Sequence, residues 1–403
     1  MFSFFPLIGY GIFGPHEPTL SCPALLAACH PAQRDAIERD LRIIKETAAY
    51  ATSPTRSGAT DTSWLLWCTF CRDLHIDPFL SQLEDPIPLL QIFAHRYRTG
   101  TVAPSGSSVR SRTVEGALRA VGQTFATLGS PDPRLQNSGK LDFRLSRQLT
   151  AYAKQDPPPS RVKPIPFPLI ATTAHLHYQA NTPHASTLAD MLLLGFFFLL
   201  RPGEYAHTSN PDASPFRLCD THLFINNRRL HPDRCTVTDL RRVNYIGLEF
   251  TTQKNGVRGE IVGLGLTGHP LWCPVRALIN RVTHLVSHKA PLTTPLYSYH
   301  SDTWRYIDTT MLTAALRTTV YATGATWGLQ PTDISIRSLR SSGAMALLCA
   351  KVDTDLIRLL GRWRSDEMLR YLHVQSFPIV APLAAQMLQH GTFTLIPNQP
   401  FMG

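Results

Sequence analysis

The amino-acid sequence predicts a mainly α-helical protein with a small antiparallel β-sheet. Three observations predict this fold class. Apolar residues recur at helical spacing through residues 31–154, a proline-rich stretch interrupts the chain at 155–168, and the turn dipeptide Asn255-Gly256 separates two strand-like runs. The 403 residues also exceed the size at which one hydrophobic core usually stops growing, about 250 to 300 residues. We therefore expect two domains.

The first region is predicted to be helical throughout. Pro31 can occupy the first position of a helix. Apolar side chains then form one stripe, at Ile37, Leu41, Ile44 and Ala48. Residues 52–60, rich in Ser, Thr, Gly and Pro, predict a loop, and polar side chains at 61–63 are expected to cap a helix that carries residues 64–74. Further helices are predicted at about 86–98, 109–128 and 140–154.

The proline-rich stretch 155–168 is predicted to be a basic, extended linker, because its six prolines cannot sustain helical or ladder hydrogen bonds. It carries Arg161 and Lys163. Beyond it, a helix is predicted at 187–200, strands within 216–223, 245–252 and 259–262, and helices at about 273–287, 309–323, 337–350 and 353–361. The predicted division is an N-terminal extension 1–29, a helical domain 30–154, the linker 155–168, a mixed domain 169–390 and a tail 391–403.

Charge favours a polyanionic partner. The formal net charge is +10 and the isoelectric point is about 9.3, and cationic side chains that neutralise phosphates gain affinity by releasing counterions. The predicted helix 109–128 carries Arg110, Arg112 and Arg119. These arginines are either a solvated basic face or a group that enters a DNA groove.

Cysteine usage and hydropathy indicate a soluble protein from a reducing compartment. Eight cysteines are spread through the chain without the spacing of a disulfide scaffold. Cys68 and Cys71 form a CxxC within an apolar helical pattern, which favours core packing over a zinc site. The apolar run 191–200 is much shorter than the roughly 20 residues that a membrane span needs, and residues 1–14 lack the basic start of a signal peptide.

Six polar residues of the second region follow one another in the order Arg201, Lys254, Arg337, Arg340, Trp363 and Tyr371. The surrounding motifs are Leu-Arg-Pro-Gly-Glu at 200–204, Gln-Lys-Asn-Gly at 253–256, Ser-Ile-Arg-Ser-Leu-Arg-Ser-Ser-Gly-Ala at 335–344 and Leu-Gly-Arg-Trp-Arg-Ser-Asp at 360–366. In this order and spacing they resemble the tyrosine recombinase (phage-integrase-type) family, and most closely the Crypton- and DIRS-like recombinases of eukaryotic mobile elements. The resemblance covers about residues 170–385, with a weaker architectural match before them.

The resemblance implies a helical core-binding domain followed by an integrase-type α+β catalytic domain. It also implies double-stranded DNA as substrate, four protomers on that DNA, a 3′-phosphotyrosine intermediate and, in a eukaryotic host, a nuclear location. No nucleotide cofactor and no metal is expected, since a phosphotyrosine retains the energy of the bond it replaces. In the family a C-terminal helix docks on a neighbouring subunit, and residues 378–389 have the spacing for such a helix or for one that packs on its own domain.

The chemistry explains why these residue types are needed. A tyrosine hydroxyl has a pKa of about 10, so its attack on a phosphodiester needs cations near the non-bridging oxygens. Arginine suits this task because its planar fork stays protonated, and Arg201 and Arg340 are the candidates. The resemblance implies that Lys254, on a β-hairpin, protonates the departing 5′ oxygen, and the alternative is an ordinary turn lysine beside Asn-Gly. Tyr371 is the candidate nucleophile, with Tyr205 and Tyr245 as rivals that lack the preceding motif.

Some positions leave alternatives open. Arg337 stands where the family usually has histidine, and a guanidinium cannot act as a base at neutral pH. Trp363 is assigned to the family's His-or-Trp position, with Arg362 as the competing assignment and packing in the core as the alternative role for the indole. Glu204 is expected to orient Arg201, which could instead be the C-cap of a helix ending at residue 200.

Three functions remain in consideration: a recombinase, a DNA-binding protein that has lost catalysis, and a type IB topoisomerase.

Overall fold

The computed structural model describes residues 30–49, 54–158, 162–226, 228–251 and 259–363. These residues form two compact units, 30–158 and 162–363. The predicted fold class is confirmed: most of the described residues are helical, and the strands form small antiparallel sheets. None of the described helices is both long and apolar enough to span a bilayer.

The first unit is built from helices around an aromatic core. A 3₁₀ turn at Pro31–Gln33 is followed by α1 (Arg34–Ala49), α2 (Pro54–Asp73), α3 (Ile87–Thr99), α4 (Ser111–Thr127) and α5 (Phe143–Gln155). Trp67 and Phe93 are fully buried and meet edge to face, with ring centroids 5.2 Å apart. The helix predicted at 109–128 is confirmed as α4, whose Val114, Leu118 and Val121 are buried.

The predicted loop at 52–60 is wrong, because α2 already begins at Pro54. Proline is tolerated at the start of a helix, where its missing N–H would have no partner. The hydroxyls expected to cap the helix instead bond back along it: Thr62 Oγ1 donates to the Gly58 carbonyl at 2.8 Å, and Ser63 Oγ donates to the Ala59 carbonyl at 2.8 Å. Such back-bonding places residues 61–63 in the helix interior.

The second unit combines helices with two sheets. Its helices are α6 (Phe167–Gln179), α7 (Pro183–Phe197), the single turn α8 (Pro202–Tyr205), α9 (Val237–Arg241), α10 (Pro274–Ser287), α11 (Thr309–Thr323), α12 (Ser338–Cys349) and α13 (Thr354–Gly361). Its strands are β1 (Thr221–Ile225), β2 (Arg228–Leu230), β3 (Tyr245–Phe250), β4 (Glu260–Gly265), β5 (Ser298–His300) and β6 (Trp304–Tyr306). Short 3₁₀ turns lie at Leu218–Asp220, Gly324–Trp327 and Pro331–Asp333.

The larger sheet has the order β2-β1-β3-β4, and every neighbouring pair is antiparallel. In the β3–β4 pair, Tyr245 faces Gly265 at one end and Phe250 faces Glu260 at the other. The predicted strand at 216–223 is wrong in its first half, where Asp220 accepts the Arg217 N–H at 2.8 Å and stabilises a 3₁₀ turn. A separate hairpin pairs β5 with β6.

Helix α7 is the centre of the second unit and sets the position of the candidate site. It begins at Pro183, four residues before the predicted start, because Thr182 Oγ1 accepts the Ala185 N–H at 3.2 Å. Its side chains from Leu188 to Phe196 are buried on all sides. The helix ends at Phe197, and Leu199 then takes a left-handed backbone conformation with φ of 51°. The chain therefore turns sharply just before Arg201.

Candidate functional site

Arg201 lies in the turn that follows α7. Its backbone N–H donates to Glu204 Oε2 at 2.7 Å, and its Nη1 donates to Glu204 Oε1 at 3.1 Å. The side chain is 31% exposed, so the outer part of the guanidinium reaches solvent. Arg201 is therefore not the C-cap of a helix, because α7 ends four residues earlier and Arg201 leads into α8.

Glu204 is a buried carboxylate that binds two arginines. The residue is 8% exposed, and its Oε2 also accepts a hydrogen bond from Arg362 Nη2 at 3.1 Å. Its own carbonyl accepts the Phe216 N–H at 3.0 Å, which fixes the backbone of the turn. A buried carboxylate must be paired to remain charged, and here each oxygen has a guanidinium partner.

Arg362 is almost completely enclosed. Its side chain is 2% exposed, and its backbone is left-handed with φ of 55°. It donates to the carbonyls of Phe198 at 3.3 Å, Leu199 at 3.3 Å and Leu360 at 3.1 Å, and its Cζ lies 3.8 Å from the ring centroid of Phe250. Burial lowers the pKa of the guanidinium to about 10, against the opposing effect of Glu204, so Arg362 stays protonated at neutral pH.

Arg340 belongs to the same group of contacts. It lies on α12 and is 5% exposed; its Nη1 donates to the Leu199 carbonyl at 2.7 Å and its Nη2 donates to the Gly361 carbonyl. Arg340 and Arg362 thus share the carbonyl oxygen of Leu199. A continuous path of hydrogen bonds runs from Arg201 through Glu204, Arg362 and Leu199 to Arg340, and we call these five residues the arginine network.

Trp363 packs directly against this network. The Arg340 Cζ lies 4.4 Å from its ring centroid, and the indole is buried against Leu199 and Ile357. Both residues that compete for the family's His-or-Trp position therefore adjoin Arg340, but they differ in environment. Arg362 binds Glu204 and backbone carbonyls, whereas Trp363 forms a wall beside the Arg340 guanidinium. The assignment of Trp363 stays a prediction.

Arg337 lies in a different environment from Arg201 and Arg340. It occupies the residue before the first turn of α12, three positions ahead of Arg340, and it is exposed. Its backbone N–H donates to Ser335 Oγ at 3.2 Å, and no described residue forms a hydrogen bond or ion pair with its guanidinium. The side chain is thus available to an anion outside the protein.

Several predicted residues lie outside the described part of the chain. Lys254, Tyr371 and Arg161 are among them, as are the predicted N-terminal extension 1–29 and the segments that follow Trp363. In the described strands on either side of Lys254 in the sequence, Phe250 of β3 pairs with Glu260 of β4, and Phe250 contacts Arg362. The strand ends that flank Lys254 therefore adjoin the arginine network.

The two rival tyrosines have distinct environments. Tyr205 is fully buried, and its hydroxyl donates to the Ile336 carbonyl at 3.0 Å. Burial, with Glu204 as a second cause, raises the pKa of Tyr205 well above its usual value, so it is a poor nucleophile. Tyr245 is 45% exposed but lies at the end of β3 opposite to Phe250.

The predicted DNA-binding residues are exposed or partly paired. Arg112 is exposed, Arg110 Nη2 donates to the Pro158 carbonyl at 3.4 Å, and Arg119 forms an ion pair with Glu115 on the same helix. Lys163 Nζ lies 2.9 Å from Asp333 Oδ2, so this lysine also ties the start of the second unit to the turn before α12. The CxxC lies on α2, where Cys71 is buried in the core and burial raises the pKa of Cys68 to about 11.

Sequence reasoning missed the contact between Arg362 and Glu204. The two residues are 158 positions apart, and neither periodicity nor a local motif links them. Among the described residues, no group of three or more His, Cys, Asp or Glu side chains could hold a metal ion.

Comparison with known proteins finds likeness only among solved structures, since no family model and no curated protein matches the chain. The XerA recombinase is similar at 15% identity over 88% of this chain and 98% of that one, with a TM-score of 0.33. The Tn1549 transposon integrase, solved with circular intermediate DNA, is similar at 12% identity over 81% and 99%, with a TM-score of 0.45. The integrase of mycobacterium phage Brujita is similar at 14% identity over 86% and 88%, with a TM-score of 0.27.

Proposed function

We propose that the chain is a site-specific DNA recombinase or integrase of the Crypton/DIRS kind, which cuts and rejoins DNA strands through a 3′-phosphotyrosine formed by Tyr371. One observation carries the proposal. Arg201 and Arg340, 139 positions apart in the sequence (340 − 201), meet in a single hydrogen-bond network around Glu204 and the Leu199 carbonyl. Arginine pairs can stabilise the two non-bridging oxygens of one phosphate, and we assign this role to Arg201 and Arg340.

The proposed reaction requires only groups that the chain supplies. The hydroxyl oxygen of Tyr371 attacks phosphorus, a new P–O bond forms, and the bond to the 5′ oxygen breaks. Lys254 donates a proton to that leaving oxygen, and the phenol proton passes to solvent. Negative charge grows on the non-bridging oxygens during the attack, and Arg201 and Arg340 stabilise it more strongly than they bind the ground state. Religation by a 5′ hydroxyl reverses each bond change.

Hydrogen bonds within the protein keep Arg201 and Arg340 in place between reactions. Glu204 accepts hydrogen bonds from both Arg201 and Arg362, and Arg340 donates to the backbone carbonyls of Leu199 and Gly361. Donors fixed before the substrate arrives need no reorganisation when charge develops. Trp363 then bounds the site beside Arg340 and excludes water from it.

The proposal extends to partners and location. Double-stranded DNA is the substrate, contacted in the first unit by Arg110, Arg112 and Arg119 and in the predicted linker 155–168 by Arg161 and Lys163. Four protomers assemble on that DNA, and in a eukaryotic host the protein works in the nucleus. The net charge of +10 supports a phosphate-bearing partner.

A trapping experiment tests the proposal. Duplexes are enriched by binding to the protein from a random-sequence pool and are rebuilt with a nick at successive positions, so that cleavage releases a short fragment and religation fails. We expect a denaturant-resistant adduct whose tryptic DNA-linked peptide carries Tyr371. Tyr371→Phe should bind the same duplexes with unchanged affinity and give no adduct. An adduct on another residue, or none from the wild type, contradicts the proposal.

A DNA-binding protein that has lost catalysis is the second candidate. The exposed Arg337 favours it, because a guanidinium at that position can contact phosphate but cannot accept the proton of the attacking phenol. The same experiment separates the two functions: salt-sensitive binding without an adduct supports the second. Arg337→His would then be the informative variant, since restored cleavage would identify this position as the cause of the loss.

A further inference from the structure

A positively charged cleft lies in the second unit, away from the arginine network. It has a volume of about 250 Å³ and is formed by β2, by the segment that follows it and by α9. Four arginines line it: Arg228, Arg229, Arg234 and Arg242. Asp239 and the half-buried Cys235 also line the cleft.

The backbone around the cleft is held by local contacts. Ile225 pairs with Arg228 in the β1–β2 hairpin, and Asn244 binds the hairpin turn through its side chain, with Nδ2 donating to Asn226 Oδ1 at 2.8 Å. Helix α9 is anchored by Leu240, which is 1% exposed. The four arginine side chains therefore extend from a backbone that these contacts hold in place.

Their charge is only partly balanced inside the protein. Asp239 caps α9 by accepting the Thr236 N–H at 3.1 Å and the Thr236 hydroxyl at 2.7 Å. These hydrogen bonds, together with the nearby Arg242 and Arg228, keep the pKa of Asp239 below its usual value, so it stays ionised. Within the described residues, no side-chain hydrogen bond or ion pair binds Arg228, Arg229 or Arg242.

Arg234 is only loosely paired. Its Nε lies 3.7 Å from Asp233 Oδ2, and both side chains are largely exposed, at 82% and 45%. Exposed pairs of this kind contribute little stability and are readily exchanged for a better partner. Four guanidinium groups near two carboxylates, those of Asp239 and Asp233, therefore leave an excess of positive charge that suits an anion with several oxygens.

The position of the cleft indicates which anion. The hairpin turn beside it follows Phe224, which pairs with Tyr245, whereas Phe250 at the other end of β3 contacts Arg362. Tyr245 and Phe250 are five residue steps apart, about 17 Å at about 3.4 Å for each step, so the cleft and the arginine network lie towards opposite ends of β3. A DNA strand places a phosphate every ~3.4 Å along the helix axis, so a backbone leaving the candidate site can reach the cleft about five base pairs away.

We propose that this cleft binds phosphate groups of a nucleic-acid backbone, as a second contact apart from the candidate strand-cutting site. The identification of the polymer rests on the proposed function; the affinity for phosphate oxygens rests on the four arginines. The contact is sequence-independent, because it is made to phosphate and not to base edges.

The test measures non-covalent binding in a Tyr371→Phe background, so that its outcome does not depend on strand cleavage. Anisotropy of a labelled mixed-sequence duplex is followed as salt rises. Arg228→Gln/Arg229→Gln/Arg242→Gln is compared with Arg276→Gln/Lys289→Gln/Arg305→Gln, which removes the same charge from exposed positions of the same unit. Each lost phosphate contact should reduce the slope of log K against log salt by about 0.9, so we expect a reduction of about 2 to 3 in the cleft variant and below about 1 in the control.

Equal slopes for the two variants would overturn the inference while leaving the proposed function standing, and a wild-type protein that binds no DNA would defeat both. Tripolyphosphate tests the alternative that the cleft binds a small free anion. If it raises the melting temperature of the wild type but not of the cleft variant, while duplex binding is the same in both, the cleft binds a small phosphate compound and the nucleic-acid proposal is wrong.

A second measurement uses the protein without any substitution. Cys235 lines the cleft, so a bound duplex should slow its alkylation by iodoacetamide in the otherwise unaltered chain. Mass spectrometry of the Cys235 peptide gives the rate with and without duplex. Several-fold protection supports the inference, and an unchanged rate at saturating duplex contradicts it.

Discussion

Arg362→Leu is the change that most directly perturbs the arginine network. It removes a guanidinium whose side chain is 2% exposed and leaves Glu204, whose side chain is 10% exposed, with Arg201 alone. Breaking a buried pair by removing one partner costs about 3 to 5 kcal/mol. The lower end applies here, because Glu204 keeps two hydrogen bonds from Arg201, from the backbone N–H at 2.7 Å and from Nη1 at 3.1 Å.

A loss of about 3 kcal/mol corresponds to a fall of roughly 6 to 12 °C in melting temperature for a domain of this size. Scanning calorimetry is the suitable assay, since it distinguishes the unfolding of two units with separate cores. Arg358→Leu, in the last turn of the helix that ends just before Arg362, is the matched control. Its ion pair with Asp355 joins side chains that are 41% and 72% exposed, and such pairs contribute about 0 to 1 kcal/mol.

The result that would refute the reasoning is a similar small shift for both variants. A further check adds Glu204→Gln to Arg362→Leu. Neutralising the carboxylate removes the uncompensated charge, so the double variant should be less destabilised than the sum of the single variants by about 0.5 to 3 kcal/mol. Strict additivity would show that Arg362 and Glu204 do not stabilise each other.

Two further predictions concern the second unit, and the second of them has a control in the first unit. Burial raises the pKa of Asp190 to about 7, whereas the unfolded chain releases the same proton near pH 4. Retention of this proton therefore stabilises the folded protein; the contribution is complete below about pH 4 and is lost as pH rises to about 7. Urea titrations should show the stability of the wild type relative to Asp190→Asn falling across that window, and a flat difference would contradict the assignment. Gly343→Ala would put Cβ 2.4 Å from the Phe196 carbonyl oxygen and should cost about 1 to 3 kcal/mol. Gly116→Ala, on an exposed helix face with open space around it, should instead stabilise by about 0.5 to 1 kcal/mol, and equal effects in thermal melts would rule out the clash.

The longer helices could be predicted from the sequence because their periodicity extends over several turns. The helix predicted at 309–323 has those bounds in the structure, and the one predicted at 273–287 begins one residue later. The strands β2, β5 and β6 were missed, since three residues are too few to show an alternating pattern. The loop predicted at 52–60 failed because hydroxyl-rich sequence is compatible with a helix when each hydroxyl bonds back to a carbonyl one turn earlier.

The candidate site could be predicted only in part. The order of Arg201 and Arg340 suggested that they act together, but nothing local indicated that Arg362 would join them through Glu204. That contact depends on the left-handed conformations of Leu199 and Arg362, which bring two chain turns against each other. The cleft had a compositional signal in the arginines between 228 and 242, yet which of them share one surface is decided by the hairpin and by the fold of α9.

Cleavage of a duplex with a neutral methylphosphonate at the scissile position tests the central claim most directly, namely that Arg201 and Arg340 stabilise negative charge on the phosphate attacked by Tyr371. On the normal phosphate, Arg201→Ala should slow single-turnover adduct formation by about 100- to 1,000-fold. On the methylphosphonate, which lacks the charged oxygen, the same variant should slow adduct formation far less relative to the wild type. An equal loss on both substrates would contradict the account.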